Sequence, residues 1–388
     1  MYFALGWAAT AHGGLIAGLV VGTVTVSRTV LLLLGGAVAD RAGARVVMII
    51  GDVTLLVVTA AVALAAWAVG TPVWLLLLAA LAEGVVTAFY YPAAGSIPRR
   101  LVEDAAVPRA VALRQAVSQT ADLIGGPLGG VMVAAAGFTA AAGVDAVTFL
   151  PVLVVMMLLR PHTFVTVTVT DVTGPRRSLW RDAADGVRVA LSRPVLRVAL
   201  LLTAVAAGAV IPTGALLVPL LVRGQHWSAV TAGAILGGQS AGGLVVAGVI
   251  ARTGTFARPG MAALGGLVVI GAGLLILAAA AAPAVAAAAG VAVGAGLSLF
   301  ITHSGPLVLL GSPDTYLSRV QSLLGLVQAG TLAIASPLLG IIADRIGPRP
   351  TLAGAGLILA TAAAAATLNR GWRTSTLTSS GQVVTVNH

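Results

Sequence analysis

The sequence predicts an all-α protein that crosses a membrane many times, on three observations. Hydrophobic residues make up 59% of the 388 and charged ones 9%, with a mean hydropathy of +1.04. A soluble domain carries about a quarter charged residues on average. Apolar windows of about 20 residues, enough to cross a hydrocarbon core of roughly 30 Å, recur along the chain. The remaining charge lies mostly between those windows. Lipid supplies no hydrogen-bond partner to an open strand, so each window is a helix that satisfies its own backbone.

Glycine, proline and arginine breaks set the spans in order: 15–38, 46–69, 73–96, 109–134 and 138–159. After the longest polar interval come 195–222, 228–251, 259–281, 284–308, 319–342 and 350–368. Ahead of them "MYFALGWAAT" is apolar but only half a span long. The expected organisation is a first transmembrane bundle over 1–160 and a central cytoplasmic loop over 161–194. A second bundle over 195–368 and a cytoplasmic tail over 369–388 follow. Within the loop, "SLWRDAADGVRVALSRP" has the composition of an amphipathic helix on the inner membrane surface.

The net charge of +10 comes with 22 basic residues, all arginine. With the loop around Arg41 placed in the cytoplasm, most arginines fall on that side. Arg223, Arg345 and Arg349 fall outside, and Arg28 lies within a span. That asymmetry is the positive-inside pattern, and it places both termini in the cytoplasm of a multi-pass plasma-membrane protein. It argues for a lipid bilayer and against nucleic acid as the partner of the basic charge. With no cysteine, disulfides, thiolate catalysis and cysteine-based zinc sites are excluded.

The two halves also match each other. "RAVALRQAVSQTADLIGGPLGGVM" from Arg109 aligns without a gap on "RVQSLLGLVQAGTLAIASPLLGII" from Arg319. Pro127 then pairs with Pro337 and Gly130 with Gly340, while Arg41 and Gly43 pair with Arg252 and Gly254. Two parallel six-span halves around a central loop are a transporter architecture. By the same register the first helix is expected to lack its cytoplasmic half, as either a misassigned start or a real truncation would produce.

These segments resemble the major facilitator superfamily over essentially the whole chain. "GGAVADRAGARV" is similar to its loop between spans two and three, with Gly36, Asp40, Arg41, Gly43 and Arg45 at motif positions and Ala44 in place of an arginine. Gly126, Pro127, Gly129 and Gly130 of "GGPLGG" resemble the end of the antiporter motif in span five; Asp122 and Leu113 replace its earlier glycines. Ala80 stands where span four usually carries arginine. "TAFYYPAAGSIPRRLV" and "GVDAVTFLP" resemble the drug-efflux branch that includes macrolide and siderophore exporters. The resemblance implies two pseudo-symmetric six-helix bundles. It also implies a gating loop whose Asp40 faces the start of span eleven near Arg319 when the protein is outward-open.

Arg28, Glu83, Asp122 and Asp145 lie within spans, and Asp52 lies near a helix start. A central charge costs at least ~2.5–3.5 kcal/mol on insertion scales, so partners or a wet cavity are expected. Arg28, Glu83 and Asp122 sit near mid-depth and form the candidate proton-coupling cluster, because a buried carboxyl beside an arginine can be poised to titrate. For Asp145 and Asp52 a static role is expected. His12, His226 and His303 lack ligand spacing, and no metal site, cofactor site or catalytic constellation emerges. "GAILGGQSAGG" and "GVAVGAGLSLF" read as helix-packing glycines, since no Walker lysine or acidic ribose partner accompanies them.

The expected function is therefore secondary transport, not enzymatic: efflux of amphipathic drug-like or siderophore-like molecules in exchange for protons, by a monomer. Proton-coupled uptake is the alternative within transport. A non-transporting protein of the same fold is the alternative outside it.

Overall fold

A computed structural model describes residues 1–101, 107–158, 188, 192–254, 256–311, 317–373, 375–377 and 383–385. The expected amphipathic helix over 178–194 lies almost wholly outside the described residues. In the first half, α1 (Tyr2–Ala9) is followed by α2 (Gly14–Ala42), α3 (Ala44–Val69), α4 (Val73–Leu101) and α5 (Val107–Leu158). Gly137, at φ +74°, interrupts α5 and turns it into two successive transits. That break falls between the expected spans 109–134 and 138–159.

The second half begins with α6 (Pro194–Pro212), which passes through a π-helical turn (Thr213–Leu217) into α7 (Val218–Gly224). The turn follows Pro212, a residue that removes one backbone donor from the helical ladder. Then come α8 (Ala229–Thr253), α9 (Pro259–Ala279), α10 (Pro283–Gly311), α11 (Leu317–Ile346) and α12 (Pro348–Ala366). Ten helices among the described residues are long and apolar enough to cross a membrane. A short α13 (Arg370–Arg373) and an antiparallel pair, β1 (Ser375–Leu377) with β2 (Val383–Thr385), close the chain. The class is all-α, with this hairpin as its one extended element among the described residues.

Within the first half α2 packs on α4, and α3 packs on α4 and α5; within the second, α10 packs on α8 and α9, and α9 on α12. A continuous apolar core joins Leu5 and Leu76 of the first half to Leu216, Leu267 and Leu274 of the second. The exterior is apolar as well: Trp67 is 80% exposed and Ile334 70%. Such a surface suits lipid, not water. The halves meet where α2 crosses α11 and where α5 crosses α8.

Candidate functional site

The crossings are made of small residues because only these let two helix backbones approach closely. A methyl added to Gly130 of α5 would stand 2.6 Å from the Ala229 carbonyl of α8, and one on Gly233 would stand 2.6 Å from the Gly126 carbonyl and 3.0 Å from Pro127 Cα. Gly129 faces Phe3 of α1, 3.3 Å from its ring. At the other crossing, a methyl on Gly14 would lie 2.6 Å from the Gly340 carbonyl, and one on Gly18 would lie 2.9 Å from Pro337 Cα. The sequence-aligned pairs Pro127/Pro337 and Gly130/Gly340 thus occupy equivalent places, each pressing on a helix of the opposite half.

The end of the molecule where α2 begins and α11 ends is tied shut. Asp344, in the last turn of α11, accepts hydrogen bonds from the Gly14 and Leu15 amides, at 2.5 and 2.7 Å. These are orphan donors of the first turn of α2, and a carboxylate is their best partner. Beside it, Arg223 of α7 donates to the Trp7 carbonyl at 2.9 Å and lies 4.6 Å over the Trp7 ring. Gly6 of α1 abuts the Ala215 carbonyl. Each contact joins one half to the other.

Asp344 belongs to a sequence signal that comparing the halves in parallel register does not reveal. Gly340 to Arg349 reads "GIIADRIGPR", the same glycine, acid–arginine, glycine and arginine spacing as "GAVADRAGAR" from Gly36 to Arg45. The two segments also fold alike. Gly43 (φ +86°) and Gly347 (φ +90°) each start the next helix from a left-handed conformation open to glycine. Arg45 donates to the Met156 and Met157 carbonyls at the end of α5, at 3.0 and 3.3 Å. Arg349 donates to the Ala280 carbonyl at the end of α9, at 2.6 Å, and to Gln225 at 2.9 Å. Both arginines therefore neutralise a helix C-terminus. Arg45 is thus committed to protein carbonyls and not to lipid headgroups. Among the gating-loop candidates, the side chains of Asp40, Arg41 and Arg319 and the surroundings of Gly36 lie outside the described residues.

Of the expected trio, Arg28 and Glu83 are described and lie within electrostatic reach of each other. Arg28 of α2 sits 5.6 Å over the ring of Tyr91 on α4. Glu83, two turns earlier on α4, faces the Met1 ammonium, Asp145 of α5 and Arg28 as its charged surroundings. Glu83 and Asp145 line one cavity of about 130 Å³ with Leu55, Val58, Val62 and Phe149. Glu83 Oε2 and Asp145 Oδ2 are buried without a hydrogen-bond partner, while Asp145 Oδ1 receives the Met1 ammonium at 2.8 Å. The side chain of Asp122 lies outside the described residues. Asp145, expected to be static, is thus the carboxylate that the structure brings to Glu83; a lone acid in an apolar span offers no signal of its partner.

Two further polar residues have structural roles. Asp52 is 1% exposed and lies beside Tyr90 of α4. His303 of α10 is fully buried, accepts from the Phe256 amide at 3.1 Å and lies 2.9 Å from the Leu299 carbonyl, fixing the segment between α8 and α9.

No curated protein matches the sequence. Among solved structures, the chain resembles a POT family transporter in complex with 5-aminolevulinic acid. The TM-score is 0.68 at 11% identity, over 95% of this chain and 94% of that one. At that identity the likeness speaks for the fold alone. The family model described as Major Facilitator Superfamily matches residues 1–331. That match spans most of a chain with ten membrane-length helices among its described residues, and the chain belongs to the Major Facilitator Superfamily of membrane transporters.

Proposed function

We propose that the protein is a proton-coupled secondary transporter that exports amphipathic small molecules across the plasma membrane by alternating access, with both termini in the cytoplasm. The observation that carries this reading is the pair of matching acid–arginine turns at opposite ends of the antiparallel helices α2 and α11. Asp344 caps the start of α2 at the outer end. By the same geometry Asp40, at the inner end of α2, caps the start of α11 near Arg319 when the halves close there. On this reading each acid stabilises one closed end, and a form with the Asp344 cap engaged is the inward-facing one. In support, a methyl placed on Gly325 or Gly330, on the inner stretch of α11, would meet nothing within 4 Å. The domain division proposed from sequence, 1–160 and 195–368 about a central loop, supplies the two rocking bodies.

Energy for uphill export comes from protons carried on Glu83 and Asp122, with Arg28 as the nearby fixed charge. Support for Glu83 is its buried, partnerless Oε2 beside a second carboxylate. Export rests on the resemblance to the drug-efflux branch and on the "GGPLGG" crossing. Uptake coupled to protons is the second reading, favoured by the likeness to a POT family transporter.

A direct test measures hydrophobic dye accumulation in a bacterial host lacking its own pumps, then in proteoliposomes with an imposed pH gradient. Export predicts that dye enters inside-out vesicles only in exchange for protons flowing outward. Dye entering together with protons establishes uptake instead.

A further inference from the structure

The cytoplasmic ends of α6 and α12 flank an apolar groove of about 510 Å³ that plays no part in the crossings. Its α6 wall is Val198, Leu201, Leu202 and Val205; its α12 wall carries only alanine, at positions 362, 365 and 366. Branched chains facing methyls leave the gap. The groove stays open, with Leu201 62% exposed and Leu368 83% exposed. From Arg197 to Val205 it runs about 12 Å along α6, and its volume falls in the roughly 300–1,000 Å³ range of ligand sites.

The mouth of the groove carries hydrogen-bond donors. Arg197 contributes a guanidinium and Asn369 a carboxamide. The Asn369 Oδ1 already accepts from the Trp372 amide at 3.1 Å, which turns its NH2 group outward as a donor. Trp372 itself is fully buried and donates to the Gly260 carbonyl at 3.0 Å, so the mouth is anchored. No acidic residue lines the groove. Arg193 lies one turn before Arg197, and Arg370 and Arg373 follow Asn369, adding positive charge at the same end.

We propose that this groove is a binding site for one anionic phospholipid of the cytoplasmic leaflet. An acyl chain lies between α6 and α12, and Arg197 and Asn369 hold the headgroup phosphate. A bidentate guanidinium–phosphate contact supplies direction as well as charge, and basic pockets between transmembrane helices on this side suit anionic headgroups. Tying α6 to α12 from outside sets the stiffness of the second bundle, which gives the lipid leverage on its rocking.

The test uses the full chain, purified in detergent and titrated with dioleoyl phosphatidylglycerol or dioleoyl phosphatidylcholine, with bound lipid counted by native mass spectrometry. The wild type is expected to retain one phosphatidylglycerol at concentrations where phosphatidylcholine is lost. Arg197→Ala should weaken that binding about fivefold, the effect of one basic residue at an anionic headgroup. Leu201→Trp, which fills the groove, should abolish it with Arg197 intact. Unchanged thermal transitions show that both variants fold. Equal retention of the two lipids overturns the anionic headgroup. Retention unaffected by Leu201→Trp overturns the groove, as does a dimer that dissociates in that variant without any bound lipid.

Discussion

Removing the Asp344 carboxylate should open the end of the transporter where α2 begins, the outer end on the proposed orientation. In the structure its two oxygens take two amide hydrogens of the first turn of α2, at 2.5 and 2.7 Å. An acid at a helix N-terminus contributes about 0.5–2 kcal/mol through its hydrogen bonds and the helix dipole. Asp344 is exposed, so the lower half of that range applies. For Asp344→Ala the loss is about 1 kcal/mol, a factor of about 5 between outer-closed and outer-open forms. Asn keeps one acceptor oxygen and loses the charge, so Asp344→Asn should fall between Ala and the wild type.

The assay is a distance measurement. The chain has no cysteine, so Val69→Cys and Ala282→Cys introduce unique labels at the outer ends of α3 and α9. Spin-label distances across the two halves should shift toward the longer population in Asp344→Ala. An unchanged distribution, with an unchanged thermal transition, would refute the cap as a latch.

Other positions follow from the same contacts. Gly233→Ala should lower thermal stability by about 1–3 kcal/mol, because its methyl runs into the Gly126 carbonyl; Gly143→Ala, in open space, should not destabilise. Trp372→Ala should cost about 3–5 kcal/mol in a detergent melt, since a fully buried indole and its bond to Gly260 are lost. Glu83→Gln and Asp122→Asn should leave downhill substrate equilibration intact and remove uphill movement in a pH gradient; retained uphill transport in both single variants and the double variant ends the coupling proposal. Gly330→Leu should leave the melt unchanged and stop transport, since its side chain fills space that α2 needs for inner closure.

What the sequence makes legible is whatever repeats or recurs with a fixed period. Apolar windows mark the helices, and Gly137 marks the break inside α5. The offset that aligns Pro127 with Pro337 also aligns their contacts, because both halves solve the same close-packing problem with the same small residues. Partners across space are less legible. Arg28 reads as a mate for Glu83 and is among its charged neighbours, but it also lies over the Tyr91 ring, a partner that the run Phe89–Tyr90–Tyr91 does not single out. Asp145 meets Glu83 because α3, α4 and α5 share one cavity, a fact of packing and not of pattern. The outer cap was hidden for another reason. The second acid–arginine turn follows α11, whereas parallel alignment of the halves places its counterpart after α8, at Arg252 and Gly254.

That displaced position is what lets two similar turns oppose each other. Helices α2 and α11 run antiparallel, so the end of each lies beside the start of the other. An acid ending α2 can reach the first amides of α11 only at the inner face, and an acid ending α11 can reach those of α2 only at the outer face. Close contact is present at Gly14, Gly18 and Gly340, while Asp40 lies about 33 Å further along α2 than Gly18, at 1.5 Å per residue. A tilt of about 10° between rigid helices held at the outer contact moves that end by roughly 6 Å, well beyond hydrogen-bond reach. On the proposed alternating-access reading, engaging one cap releases the other. The free-energy difference between the two faces is then the difference between two similar caps, about 1 kcal/mol each, small enough for a single proton or bound substrate to reverse.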